Sequence, residues 1–171
     1  MSKAFTREDD LPEPSIPRRP LSSLPSGAKN YLTPQGARRL RAELGRLVET
    51  ERPRVAALPD PGAAKEQLRI LDERIDHLTQ SLGSAVIVDP PAGQENRVRF
   101  GATVTVRERS GEESRYRIVG VDEADADRGW VSWLSPIARA LVNAELGERV
   151  TLKLPSGVEE LEIISISYES G

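Results

Sequence analysis

Between residues 68 and 82 Leu68, Leu71, Ile75, Leu78 and Leu82 recur at spacings of three, four, three and four. That alternation keeps one stripe of a helix turned toward a single partner along its length. Such a helix needs a mate, and the chain supplies one upstream. Leu40, Leu44 and Leu47 recur at four and three, with Ala37 extending the stripe backwards. Thr33 can cap the orphan amides of that helix and Pro34 suits its first position, so the pattern predicts a helix over about 34–57. Pro53 falls inside this span without an amide to donate, which predicts a bend or local break near Glu51–Arg52. Leu58-Pro59-Asp60-Pro61-Gly62 is a compact breaker, in which Asp60 and Pro61 are suited to cap and open the second helix. Helices joined this tightly form an antiparallel hairpin, expected over 30–88. Its other faces carry Arg38, Arg41, Glu49, Glu66, Arg69, Asp72, Glu73 and Asp76, a solvated exterior or a partner surface.

From residue 97 the period changes to two. Val98, Phe100, Ala102, Val104 and Val106 alternate with Arg97, Arg99, Thr103, Thr105 and Arg107, the pattern of a half-buried strand. Further strands are expected at Arg115–Val121, Gly129–Trp133, Arg149–Leu154 and Val158–Tyr168, the last two joined by Pro155-Ser156-Gly157. Ser135-Pro136 opens a short helix carrying Ile137, Ala138 and Leu141. The expected class is therefore α+β, with a helical hairpin followed by a small domain over 97–169 built on an antiparallel sheet with one short helix. Asp89-Pro90-Pro91-Ala92-Gly93 marks a linker over 89–96. Residues 1–29 hold five prolines among charged residues and no periodic apolar pattern, which reads as a disordered tail.

Composition narrows the chemistry. The chain has no cysteine, which removes disulfides, thiolate metal sites and thiol nucleophiles. His77 is the only histidine, so no multi-histidine metal site exists, and its position reads as a solvated helix residue. A net charge of −3 argues against a broad basic surface for nucleic acid and favours a protein partner. No apolar run approaches the ~20 residues a membrane span needs, and the N-terminus lacks the apolar core of a signal peptide, so a cytoplasmic location is expected.

The ordered strings along the chain add a resemblance. Tyr31-Leu32-Thr33-Pro34-Gln35-Gly36, Glu51-Arg52-Pro53 and Leu71-Asp72-Glu73-Arg74-Ile75 lie in the hairpin. Phe100-Gly101-Ala102-Thr103-Val104, Arg117-Ile118-Val119-Gly120, Asp122-Glu123-Ala124-Asp125 and Ser135-Pro136-Ile137-Ala138-Arg139-Ala140-Leu141 lie in the sheet half. In this order the chain resembles the Gre family of bacterial transcription elongation factors over about residues 30–169, and looks closer to its GreB branch than to its GreA branch. The resemblance implies an FKBP-like C-terminal domain that docks on the rim of the RNA polymerase secondary channel, and a coiled coil that enters the channel. Asp122, Asp125, Ser135, Pro136, Ile137, Ala138 and Leu141 become the polymerase-binding candidates. Asp122 and Asp125 have an alternative role as turn formers, and Ile137, Ala138 and Leu141 as core.

At the turn the chain departs from the family. Cleavage-stimulating Gre factors carry an acidic Gly-Asp-x-x-Glu-Asn type motif there, which helps hold a magnesium ion of the polymerase active site. Here the hairpin skips that tip and roughly two turns of each arm, about 10 Å at 1.5 Å per residue. Asp60 and Glu66 are the only acids near the turn, and Asp60 already suits a helix cap. The expectation is a regulator that is no enzyme itself, binds bacterial RNA polymerase, takes no cofactor of its own and lacks efficient cleavage stimulation; polymerase magnesium enters only if the tip is functional. Neither a membrane nor sequence-specific nucleic-acid binding is expected. The alternatives are a cleavage-stimulating factor that rescues backtracked polymerase through Asp60 or Glu66, and a prolyl isomerase suggested only by the FKBP-like domain.

Overall fold

A computed structural model describes residues 24–93 and 95–169; most of the proline-rich tail, residues 1–23, lies outside the described residues. Strand β1 (Asn30–Leu32) leads into α1 (Pro34–Arg46), whose start is set as the sequence predicts: the Thr33 hydroxyl accepts from the Gly36 amide at 3.0 Å, with Pro34 in the first turn. Around Pro53 the helix does not break. Residues Leu47–Glu51 widen into a π turn, in which the Arg52 amide reaches back to the Leu47 carbonyl, and α2 (Arg52–Ala56) continues. The wider turn absorbs the missing amide of Pro53 as a local change of hydrogen-bond register, so the predicted break is a bulge.

Helix α3 (Pro61–Ser84) returns antiparallel after the turn at Leu58–Asp60 and passes into β2 (Ala85–Ile87). Leu40, Leu47, Val55, Leu71 and Leu78 are buried between the helices, whereas Leu68, Ile75 and Leu82 flank them half-buried. The stripe is thus seated on every second member, and Leu71 and Leu78, both fully buried, form its centre. A forked ion pair from Arg74 to Glu43, at 2.9 and 3.0 Å, ties α3 to α1 beside this core.

The second half is a five-stranded sheet in the order β5-β4-β3-β7-β6, built from β3 (Ala102–Glu108), β4 (Glu113–Val119), β5 (Trp130–Ser132), β6 (Arg149–Leu154) and β7 (Gly157–Tyr168). Helix α4 (Pro136–Leu141) covers one face with Ala138 and Leu141 against Val104, Ile118 and Ile163. Three of the four pairings are antiparallel, but β5 runs parallel to β4. That corrects the expected antiparallel sheet. Two short 3₁₀ turns, at Val121–Glu123 and Ala126–Arg128, carry the chain back so that β5 starts in the same direction as β4.

The predicted first strand begins later than the alternation suggested. Gly101, at φ +88°, makes a turn that separates Val98 from β3, and Val98 instead exchanges backbone bonds of 2.8 Å with Asn143 and Ala144 after α4. The parallel pairing of β1 with β2, in the register Tyr31↔Val86, was not expected from sequence. Three residues are too few to display a period. Tyr168 closes the far end, its hydroxyl donating to the Arg97 carbonyl at 2.6 Å and accepting from the Arg99 amide at 3.0 Å; burial pushes its phenol above the ordinary tyrosine range.

Candidate functional site

Most of the buried apolar residues fall into two clusters that share no member, one between the helices and one under the sheet. What joins them is largely polar, beside one aromatic contact from Tyr31 to Trp133 and Phe100. Glu123, 4% exposed, points from the first 3₁₀ turn into the start of α1. It accepts from the Thr33 amide at 3.1 Å, from the Gly120 amide at 2.8 Å and from the Thr33 hydroxyl. One threonine therefore caps α1 and binds the sheet half at once. The approach requires glycine at two places: a Cβ on Gly36 would stand 1.9 Å from the Glu123 Oε1, and one on Gly120 would stand 2.2 Å from the Tyr31 carbonyl oxygen.

The adjacent carboxylate works in the other direction. Asp122, with 4% of its side chain exposed, pairs its Oδ1 with His77 Nε2 at 2.6 Å and accepts from the Ser81 hydroxyl at 2.5 Å, both on α3. Asn30 in turn donates to the Ser81 carbonyl at 2.8 Å, tying β1 into the same knot. Arg117, 6% exposed on β4, donates to the Gln35 side chain at 2.8 Å and lies 5.3 Å from the Trp130 ring, which Arg39 of α1 covers from 4.8 Å. Tyr31 packs edge-on to Trp133 at 5.1 Å and tilted to Phe100 at 5.8 Å.

This placement sorts the sequence candidates. Asp122 is a brace inside the molecule, its carboxylate bonded to two side chains of α3. His77 is bonded to it, with 18% of its side chain exposed, which corrects its reading as a solvated helix residue. Asp125 accepts from the Asp127 amide at 3.1 Å and pairs with Arg128 at 3.5 Å, the work of a turn former. Ser135 caps α4 through the Ala138 amide at 3.3 Å, and Ala138 and Leu141 are fully buried core. Of the α4 candidates, Pro136 is exposed and Ile137 half-buried. Gly36, Gly120 and Glu123 lie in the strings that carry the resemblance but had no role assigned from sequence, and Ser81 lay outside those strings; the contacts that join the halves run between residues distant in the chain.

At the opposite end of the helices the acids have local partners. Asp60 accepts from the Gly62 amide at 3.0 Å and caps α3. Glu66 pairs with Arg69 at 2.8 Å, and Arg69 also holds Glu73 at 2.6 Å; these side chains are more than half exposed. The hydrogen bond and charge of Glu66, with the charge of Glu73, hold the Arg69 guanidinium above its already high ordinary range. Among the described residues, no three His, Asp or Glu side chains gather as a metal ion requires, and no helix is long and apolar enough to cross a membrane.

A family profile described as "Transcription elongation factor, GreA/GreB, C-term" matches residues 93–168. Over 154 positions the chain is 40% identical to the transcription elongation factor GreB of Neisseria meningitidis serogroup A, covering 82% of this chain and 94% of that one. This chain belongs to the GreA/GreB family of transcription elongation factors. It is also 43% identical to GreA of Alkalilimnicola ehrlichii, across 82% of this chain and 99% of the relative, so identity does not single out the GreB branch. The crystal structure of GreA factor homolog 1 (Gfh1) from Thermus thermophilus shares 26% identity over 82% of this chain and 99% of that one, at a TM-score of 0.38, too loose a superposition for any inference from shape. In this Gre-family chain, two of the strings that carried the resemblance, Tyr31–Gly36 and Asp122–Asp125, meet each other across the junction of the two halves.

Proposed function

We propose that this chain acts in the cytoplasm on bacterial RNA polymerase, docking its FKBP-like sheet half at the rim of the secondary channel and directing the helical hairpin, as a short coiled coil, into the channel, where it regulates transcription without efficiently stimulating transcript cleavage. The tip carries the reading. Between Val55 and Lys65 the only acid is Asp60, and its carboxylate is engaged as the cap of α3. Magnesium is commonly held by one or two carboxylates in close geometry, together with water and substrate oxygens. A single capping aspartate on a turn built from Pro59, Pro61 and Gly62 offers little of that. The factor takes no cofactor of its own, and the magnesium in question belongs to the polymerase.

The deciding experiment is a transcript-cleavage assay on backtracked elongation complexes. The expected result is binding to polymerase, altered transcription and no accelerated cleavage. Exchanging residues 56–66 for the longer acidic turn of cleavage-stimulating relatives should then confer cleavage, because reach and carboxylates return together. Rapid cleavage by the natural chain, lost when Asp60 and Glu66 are both replaced by alanine, would overturn the proposal in favour of a cleavage-stimulating factor.

A further inference from the structure

Two acidic side chains are buried where the helical pair meets the sheet half, and neither has a chemical task. Burying carboxylates is costly unless each lone pair finds a donor, and even a satisfied buried pair is weak grounds for stability. Directional bonds fix geometry instead. The two apolar clusters share no buried member, and across the junction the aromatic contact is that of Tyr31 with Trp133 and Phe100. An apolar contact tolerates sliding, whereas Asp122 and Glu123 each bond along defined directions to different elements: Asp122 to His77 and Ser81 on α3, and Glu123 to Thr33 at the head of α1. Both helices are therefore gripped at their bases by adjacent residues of one short turn. A small rotation at this grip is magnified along α3, whose 24 residues extend about 36 Å at 1.5 Å per residue.

We propose that Asp122 and Glu123 are positioning residues that set the angle of the helical hairpin against the sheet half, so that docking of the one aims the other. For the effect on polymerase the inference rests on the proposed channel-directed function; for the angle it does not. Loss of the grip lowers the fraction of molecules with the hairpin correctly aimed, and the effect on transcription falls in proportion to that fraction. Contacts made by the sheet half are left in place.

The chain has no cysteine, so Lys65→Cys near the tip and Lys153→Cys on β6, both at exposed positions, give a clean pair of spin-label sites. In the free full-length protein, double electron–electron resonance should show one narrow distance distribution, broadened severalfold by Asp122→Ala with Glu123→Ala. The same double variant, without labels, should retain polymerase affinity within about threefold while its effect on transcription drops by about tenfold. If the double variant fails to fold, Ser81→Ala, which removes one of the Asp122 bonds, should give a smaller broadening. An unchanged distribution in a folded variant overturns the inference. So does loss of polymerase affinity with a distribution that stays narrow, which would make Asp122 or Glu123 a direct contact, and so does a broadened distribution with an undiminished effect on transcription. Because distances are read without polymerase, failure of the natural chain to bind polymerase would sink the proposed function and leave the angle measurement standing.

Discussion

The two ends of the helical hairpin use the same residue types in opposite ways. At the base, Asp122 and Glu123 are withdrawn from water and, besides the Gly120 amide three residues from Glu123, bonded to donors 41 to 90 residues away. At the turn, Asp60 and Glu66 face solvent and bond two and three residues away. The base spends its acids on geometry that local sequence cannot impose. The turn spends its acids on ending and decorating a helix. Acidic residues alone do not tell the two ends apart.

The contrast is sharpest if the hairpin itself is opened. Leu71 is fully buried in the helical core, so Leu71→Asp places an unpaired charge where a leucine packed, at a cost of about 4 kcal/mol or more. Circular dichroism should show lost helical signal and an earlier thermal transition, with the sheet half still binding polymerase. Unchanged helicity would mean that Leu71 is not the centre of the helical core. Ile75, only half-buried, should suffer less from the same change.

A smaller effect is expected at the base. Gly36→Ala drives a methyl group toward the Glu123 carboxylate, whose place is fixed by three hydrogen bonds. Moving it strands buried donors at about 1–3 kcal/mol, and the better helix propensity of alanine returns about 1 kcal/mol, so the net loss is about 0–2 kcal/mol. Denaturant unfolding measures it. Adding Glu123→Ala should change stability much less in the Gly36→Ala background than in the natural chain, since the bonds are already broken; additive losses would contradict the contact.

Much of the fold was legible because its signals are local. The caps at Thr33, Asp60 and Ser135 each bond within three residues, and the leucine stripe needs only one helix to be seen. Pro53 marked the right place, yet only the surrounding packing decides between a break and a π turn. The parallel β5 was hidden because it has three residues and its direction is set by the turns before it. The candidate site was the least legible part. Thr33 and Glu123 lie 90 residues apart, as do Gly36 and its steric partner to within three residues, and nothing in either neighbourhood announces the other. For Asp122 the sequence shows that a carboxylate is present but not that it points toward α3.

The smallest expected effect is at the turn. Asp60→Ala removes the cap of α3 at about 1 kcal/mol, a typical loss for an aspartate that receives one amide bond. Glu66→Ala removes one of two exposed partners of Arg69, which keeps Glu73, so little further stability should go with it. If the acids at this end serve only the helix, the double variant should melt slightly earlier and regulate polymerase as the natural chain does. Restoring the cap with Asp60→Asn while Glu66 stays alanine should recover most of the stability, because asparagine caps comparably without the charge. A transcription effect that tracks the charge at position 60 rather than the melting temperature would show that the turn does more than end a helix, and the contrast between the two ends would collapse.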